Sequence, residues 1–468
     1  MPHRDVASWS ELFQGRNGLR STVLAGGVAL HAINVYIVAT ILPSVVKDIG
    51  GLDYYAWNTT LFVVASILGS ALSPKALDAF GPRVAYLIAI LIFAVGTTAC
   101  ASAPSMPWLL VGRTAQGFGG GILLGLSYAS IRLVFEDRLW PRAMALVSSM
   151  WGVATLLGPA IGGIFAQTGH WRLAFWVVLP IAALLAWLVN TQIDRSAKAS
   201  SGSRIKAPLG KITALAASVL VISLGSLSTN LAWNVVGIVT GLGIGVGVAR
   251  ADEHAAVKLM PAGGYSIRTR IGSLYACLSL LSIGVTTEIF VAYFLQLIHG
   301  HTPLIAGYMT ALMAAGWTMG SIVSSGRTQT AANRLIRIGP VLSALSLLTL
   351  AVLMPWSSLT QANAGSWWLV APLLGVGMGI GLCWPQMSTR IFKAAPAGQE
   401  NIAASAITTL QLYSMAMGST LAGVVTNAAG FTHPGGLVGA QQAAVALFAI
   451  FACAPGFAAF LTGRVVRQ

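Results

Sequence analysis

The chain has 468 residues, of which 56% are hydrophobic and only 8% charged, and its mean hydropathy is +0.77. A soluble domain carries about 25% charged residues, so this composition excludes a water-soluble enzyme or binding domain and implies a polytopic membrane protein. The net charge of +15 does not indicate a nucleic-acid partner, because the basic residues lie between apolar stretches and gather on one side of a membrane once those are drawn as spans.

Apolar runs bordered by glycine, proline and charge give fourteen predicted spans, near residues 20–43, 56–75, 83–103, 107–134, 140–167, 171–191, 209–229, 231–250, 270–298, 304–325, 335–355, 366–393, 401–428 and 439–463. Each reaches roughly the 20 residues that a helix needs to satisfy its backbone inside hydrocarbon. The first twenty residues, MPHRDVASWSELFQGRNGLR, show no apolar core with a cleavage site, so no removable signal peptide is expected. With the N-terminus in the cytoplasm, 24 of the 27 lysines and arginines fall on the cytoplasmic side, Lys47 and Arg172 fall outside, and Arg113 falls within a span. An even number of spans with cytoplasmic termini follows from that asymmetry, and a bacterial-type cytoplasmic membrane is the expected location.

The first span reads HAINVYIVATILP over 31–43, with His31 and Asn34 three apart on one face. After the second span, SPKALDAFGPRV over 73–84 sets Asp78, Gly81 and Arg83 at the helix ends, an acid, a turn and a base suited to latching one conformation by charge pairing. The fourth span holds GRTAQGFGGG over 112–121, where Arg113 and Gln116 share a face and the glycines admit a neighbouring backbone. The fifth holds GVATLLGPAIGG over 152–163, in which Pro159 opens a kink and Gly158, Gly162 and Gly163 give a flat packing surface.

The polar, basic segment 192–208 reads as a cytoplasmic linker, and 251–269 as a second one, with an extra pair of spans over 209–250 between them. Residues 1–191 and 270–468 then form two six-helix bundles. These halves resemble each other: Gly117, Gly119, Gly121 and Arg132 match Gly375, Gly377, Gly379 and Arg390 at an offset of 258, while Gly158 and Gly163 match Gly418 and Gly423 at 260. Such duplication places an aqueous site between the bundles near the bilayer midplane.

Together these segments resemble the major facilitator superfamily of secondary transporters, and the fourteen spans look most like its drug:proton antiporter branch. The resemblance rests on the Arg113–Gln116–glycine segment, the Gly158–Pro159…Gly162–Gly163 segment, and His170-Trp171-Arg172…Phe175 at the start of the sixth span. It implies an all-α membrane fold of two bundles plus an inserted pair. It also implies an antiport role for Gly158, Pro159, Gly162 and Gly163 and a gating role for Asp78, Gly81 and Arg83. The chain departs from the pattern at Pro74, Ala79 and Pro82 in the second loop, at Ala154 in the fifth span, and at Asn34, where similar antiporters carry an aspartate. Asparagine cannot release a proton, so coupling has to come from elsewhere.

Of the twelve acidic residues only Glu288 lies well inside a span, in IGSLYACLSLLSIGVTTEIFVAYFLQLI over 271–298. A charge at that depth costs at least about 3 kcal/mol, so it has to pair, take up a proton or face water. Glu288 is therefore the expected centre of proton coupling, with Gly284 and Ala292 leaving room around it and His31, which titrates near neutrality, as the second candidate. Asn34, Arg113, Gln116 and Glu288 are the expected substrate-cavity residues, with Arg113 balancing Glu288 or binding an anion. Trp151, Trp317, Trp384, Tyr293 and Tyr413 are candidate aromatic lining, and Cys100, Cys277, Cys383 and Cys453 read as small core residues rather than metal ligands or disulfides. No GxxxxGK[ST] loop and no catalytic or metal constellation occurs, so an ATP-driven pump or an enzyme is not expected, and no cofactor. The expected partners are a small-molecule substrate, protons and the lipid bilayer, with the chain acting as a monomer. Export of hydrophobic or cationic compounds is the leading expectation. The alternative is transport of an organic anion or specific metabolite through Arg113 and His31.

Overall fold

The computed structural model describes residues 9–193, 208–228, 230–325, 327–356 and 366–467, and among these the chain is helical, with no strand. The helices are α1 (Trp9–Phe13), α2 (Gly15–Ile49), α3 (Trp57–Ala101), α4 (Met106–Val134), α5 (Trp140–Gln167), α6 (Trp171–Trp176), α7 (Val178–Gln192), α8 (Leu209–Gly225), α9 (Leu231–Glu253), α10 (Arg270–Val285), α11 (Glu288–Leu297), α12 (Pro303–Ser324), α13 (Gln329–Leu353), α14 (Val370–Ala394), α15 (Glu400–Ala428) and α16 (Gly436–Arg467). Among the described residues nine helical stretches are long and apolar enough to cross a membrane, and α8 is apolar but shorter. Most of the expected linker 192–208 falls on residues 194–207, outside the described residues.

Two breaks in this pattern matter. As one rod, the 45 residues of α3 would run about 68 Å, roughly twice the hydrocarbon thickness. Gly81 divides it, with φ of 72° and ψ of 167°, a left-handed conformation that glycine adopts without a Cβ penalty, and Pro82 restarts the helix on the return limb. The second break separates α10 from α11 at Thr286–Thr287. There the bonds from Thr286 N to Ile283 O, Ile289 N to Thr286 O and Phe290 N to Thr287 O span three residues, and both threonine hydroxyls bond back to carbonyls one turn earlier. Glu288 is the first residue after this tightened turn, at the positive end of α11.

Packing follows the small residues. Limbs of α3 lie on α4, α2 lies on α5, and α7 on α2 and α3; in the C-terminal part α12 and α13 lie on α14, and α10 and α13 on α16. Helix α12 meets α5 and α2, α15 meets α3, and α11 meets α2, joining the two parts. Helix α8 pairs with α9 and leans on both α3 and α15.

The glycine repeat is real in packing but shifted from its expected register. Gly117 and Gly121 pack on the α3 backbone at Phe62 and Ser66, as Gly377 and Gly381 pack on α12 at Met313 and Trp317. Gly119 meets the return limb of α3 at Phe93, as Gly379 meets α13 at Gly339 and Ser343. The equivalent pairs are therefore Gly117–Gly377, Gly119–Gly379 and Gly121–Gly381, at 260 rather than 258, the same offset as Gly158–Gly418.

The apolar exterior carries exposed Leu91, Val95, Leu156, Ile322 and Phe460, as a lipid-facing surface requires. Cys100, Cys277 and Cys383 are buried free thiols as expected, but Cys453 is exposed, on the outer face of α16.

Candidate functional site

A cavity of about 470 Å³ lies between the N-terminal and C-terminal helices. Helix α2 contributes His31 and Val35, α3 contributes Phe62 and Ser66, α5 contributes Met144 and Trp151, α11 contributes Glu288, and α15 contributes Thr408 and Gln411. Its residues run from mid-helix toward the end of the bundle that carries the termini, since Ser70 is late in the first limb of α3, Tyr128 late in α4 and Thr408 early in α15.

Glu288 lines this cavity, half-buried, and no ion pair reaches it among the described residues. Arg113 lines it too, at 2% exposure, but is held from behind. Its Nη1 donates to Gln116 Oε1 at 2.9 Å, its Nε donates to the Asn58 carbonyl at 3.4 Å, and the guanidinium lies 4.1 Å from the Phe62 ring centroid. Gln116 in turn donates from Nε2 to Thr97 Oγ1 at 2.9 Å and to Asn34 Oδ1 at 3.3 Å. Among the described residues the expected pairing of Arg113 with Glu288 is absent; the guanidinium is turned instead to Gln116 and the Asn58 carbonyl through Nη1 and Nε. Asn34 and Gln116 are correspondingly not on the cavity wall, where they were expected; both are buried in the network behind Arg113.

His31 does line the cavity, between Phe62 at 5.0 Å and an edge-on Trp151 at 6.0 Å, and among the described residues its buried Nδ1 has no hydrogen-bond partner. The room expected beside Glu288 is not at Gly284, which packs on Pro455, nor at Ala292, which is fully buried; it is the cavity itself. Of the candidate aromatics only Trp151 reaches the wall. Trp317 and Trp384 pack on each other at 5.3 Å, Tyr293 joins Phe431 at 4.8 Å, and the Tyr413 hydroxyl meets Ser218 Oγ at 3.1 Å on α8. Tyr128, Thr408 and Gln411 are wall residues that no motif marked.

The opposite end is shut. Tyr55, Phe290, Tyr293 and Phe431 form one aromatic cluster, with Tyr55–Phe290 centroids at 5.0 Å and Phe290–Phe431 at 5.2 Å. Thr60 of α3 and Ser419 of α15 are hydroxyl partners at 2.5 Å, and Thr420 continues to Ser223 of α8 at 2.8 Å. The Gly158–Pro159…Gly162–Gly163 segment sits in this seal. Gly158 lies on Tyr36, Gly162 on Ile37 and Thr40, Gly163 on the Leu304 backbone, and Pro159 against Gly307 of α12. Trp171 and Arg172 pin the same end, donating to Asp48 Oδ2 at 3.1 and 2.6 Å.

At the end carrying the termini, Asp78 is exposed and in no ion pair among the described residues, so the expected Asp78–Arg83 pairing is not formed. Arg83 instead donates to Asn190 Oδ1 of α7, because the Gly81 turn carries it onto the return limb.

A cavity closed at one end by the glycine–proline helix, with a single unpaired acid on its wall, is the arrangement of an alternating-access carrier, and the Major Facilitator Superfamily family model matches residues 24–419. The chain belongs to the major facilitator superfamily. It is 36% identical over 469 residues to a probable multidrug-efflux transporter of Mycobacterium tuberculosis, covering 97% of this chain and 96% of that one. It is 24% identical to multidrug resistance protein 3 of Bacillus subtilis over 85% of this chain and 77% of the relative. Among solved structures, a D-xylose–proton symporter superposes with a TM-score of 0.66 at 14% identity, covering 96% of this chain and 97% of that one. A POT family transporter in complex with 5-aminolevulinic acid gives 0.67 at 14% identity, with 96% of each covered; both likenesses speak to the fold alone.

Proposed function

We propose that the protein exports hydrophobic or cationic small molecules from the cytoplasm in exchange for protons, one chain supplying both halves of the site. In this reading fourteen spans form two six-helix bundles, 1–191 and 270–468, with the pair 209–250 inserted between the linkers 192–208 and 251–269. The termini are cytoplasmic, so the cavity described above faces inward. The observation that carries the coupling is Glu288, an unpaired carboxylate on the wall of an otherwise largely apolar cavity. A proton and a cationic substrate compete for it, because either neutralises the group and the site tolerates no second charge cheaply.

The names of the relatives support efflux, since both well-covered ones are described as multidrug proteins. The commitment of Arg113 to Gln116, Asn58 and Phe62 favours a cationic or neutral substrate over an organic anion. Asp78, Gly81 and Arg83 act as the inner latch, open in this conformation, and Gly158, Pro159, Gly162 and Gly163 as the outer seal. Proteoliposomes with an imposed pH gradient test the proposal. Cationic-dye export that follows the gradient in the wild type and is lost in Glu288→Gln is expected; export indifferent to the gradient would remove the coupling.

A further inference from the structure

Four cations converge where α10, α12, α13 and α14 meet at the end of the bundle carrying the termini. Arg270 opens α10, Arg327 lies in the turn between α12 and α13, and Arg390 and Lys393 sit near the end of α14. They line a cavity of about 470 Å³ that shares no residue with the one around Glu288. Among the described residues no carboxylate lines it and no ion pair reaches any of the four. Arg390 is 6% exposed, held by Asn333 Oδ1 and by the Val465 carbonyl at 3.4 Å. Among the described residues the Nε of Arg270 is buried with no hydrogen-bond partner.

Like charges gathered in a recess repel one another unless an anion enters, and a buried guanidinium N–H without an acceptor is an unmet demand of the same sign. Guanidinium forks match phosphate oxygens, whereas a lone carboxylate would satisfy fewer of the donors. The first turn of α13 adds to this, since Gln329 at its start lines the cavity and the N–H groups that the Thr328 cap does not take favour negative charge. The surface alongside is apolar: Ile322 is 70% exposed and Phe392 49% exposed, on the two helices that carry the rim. Such side chains belong in lipid, which places the cavity mouth at headgroup depth.

We propose that this cavity binds a phosphate group presented by an anionic phospholipid headgroup. The site stands apart from substrate transport and holds whether or not Glu288 couples to protons.

The test is the thermal unfolding midpoint of the full chain in neutral detergent, titrated separately with phosphatidylglycerol, phosphatidylcholine and inorganic phosphate. Phosphatidylglycerol is expected to raise the midpoint saturably and phosphatidylcholine not to. Arg327→Gln/Lys393→Gln, both exposed positions, is expected to fold and to need about tenfold more phosphatidylglycerol for the same shift. Arg334→Gln/Arg337→Gln removes the same charge from exposed positions outside the cavity and is expected to respond like the wild type. An equal shift from inorganic phosphate at matched concentration would keep the phosphate site and overturn its lipid source. Equal responses from the two double variants, or from the two lipids, would overturn the site itself.

Discussion

Glu288 and Arg113 line one cavity and do not pair, because Arg113 is bonded to Gln116 and Asn58 and stacked on Phe62 while Glu288 begins the next half-helix unopposed. A pair locked together would leave nothing for a proton to switch. Glu288→Gln is expected to keep dye binding within a few-fold for a neutral substrate while gradient-driven efflux falls to background, and Glu288→Asp to retain part of it. Binding by fluorescence and flux in proteoliposomes separate the two effects; full flux in Glu288→Gln would refute the role.

Arg113 is a buried cation whose surroundings are built for its shape as much as its charge. Arg113→Lys keeps the charge but forfeits the stack on Phe62 and the paired bonds to Gln116 Oε1 and the Asn58 carbonyl, which makes it the worse substitution. Arg113→Met keeps much of the volume and removes the buried charge, so it is expected to unfold at a higher temperature than Arg113→Lys, by an amount equivalent to about 1 kcal/mol. The reverse order in thermal unfolding would show that charge, not the stack, governs the site.

The architecture is legible in the sequence because hydrocarbon forces it: long apolar runs have to be helices, and one acid among them stands out by its cost. What packing decides is not legible. The glycines of α14 recur every second residue at 375, 377, 379 and 381, so a two-residue slip against 117, 119 and 121 looks equally good until Phe62 and Met313 show which glycines meet the matching helices. The move of Asn34 and Gln116 behind the wall depends on side-chain hydrogen bonds with Thr97, and Thr97 lies on the return limb of α3 with no motif around it. Tyr128 and Gln411 are unremarkable polar residues in sequence and become wall residues only because the fold brings α4 and α15 to the border of one cavity.

Gly158 fits against Tyr36 with no space for a Cβ, and Gly163 against the backbone of Leu304. Gly158→Val therefore overpacks the seal, at a cost of about 1–3 kcal/mol borne only by the conformation in which α5 touches α2 this closely. The variant is expected to express and fold but to favour a state open at the other end, with transport strongly reduced. A cysteine at Leu304 that gains accessibility to a membrane-impermeant thiol reagent in Gly158→Val would register the shift; unchanged labelling and flux would show that the seal tolerates the side chain.

Beyond the end of α11, His299 and His301 stack at 6.1 Å and share Ser366, with His301 Nε2 at 2.9 Å and His299 Nδ1 at 3.2 Å from its Oγ, while His299 Nε2 meets the Met354 carbonyl at 3.0 Å. Burial holds both imidazoles below the usual histidine range, although the Met354 carbonyl opposes it at His299. A histidine whose folded pKa is lowered binds fewer protons folded than unfolded between the two values. Stability there rises with pH, is complete above the unfolded value, and is lost on acidification below about 6.5. The unfolding midpoint is expected to fall between pH 7.5 and 5.5, and His301→Gln to flatten that slope. A midpoint equal at both values in the wild type would show that the pair does not control stability.

Asp252, at 0% exposure, ties the ends of α8 and α9 to the segment that leads into α10. It accepts from Lys211 Nζ at 2.6 Å, from Leu259 N at 2.8 Å, from Met260 N at 3.1 Å and from Tyr265 Oη at 3.0 Å. Asp252→Ala leaves three donors without their acceptor and Lys211 with the Val257 carbonyl but no counter-charge, and is expected to cost about 3–5 kcal/mol in thermal unfolding. Asp252→Leu/Lys211→Met removes both charges and is expected to recover part of that loss, because no unpaired charge remains buried. The recovery is the decisive measurement. If the double variant is no more stable than Asp252→Ala, the backbone donors of 259 and 260 rather than the ion pair set the cost, and the clamp is a loop anchor first and a salt bridge second.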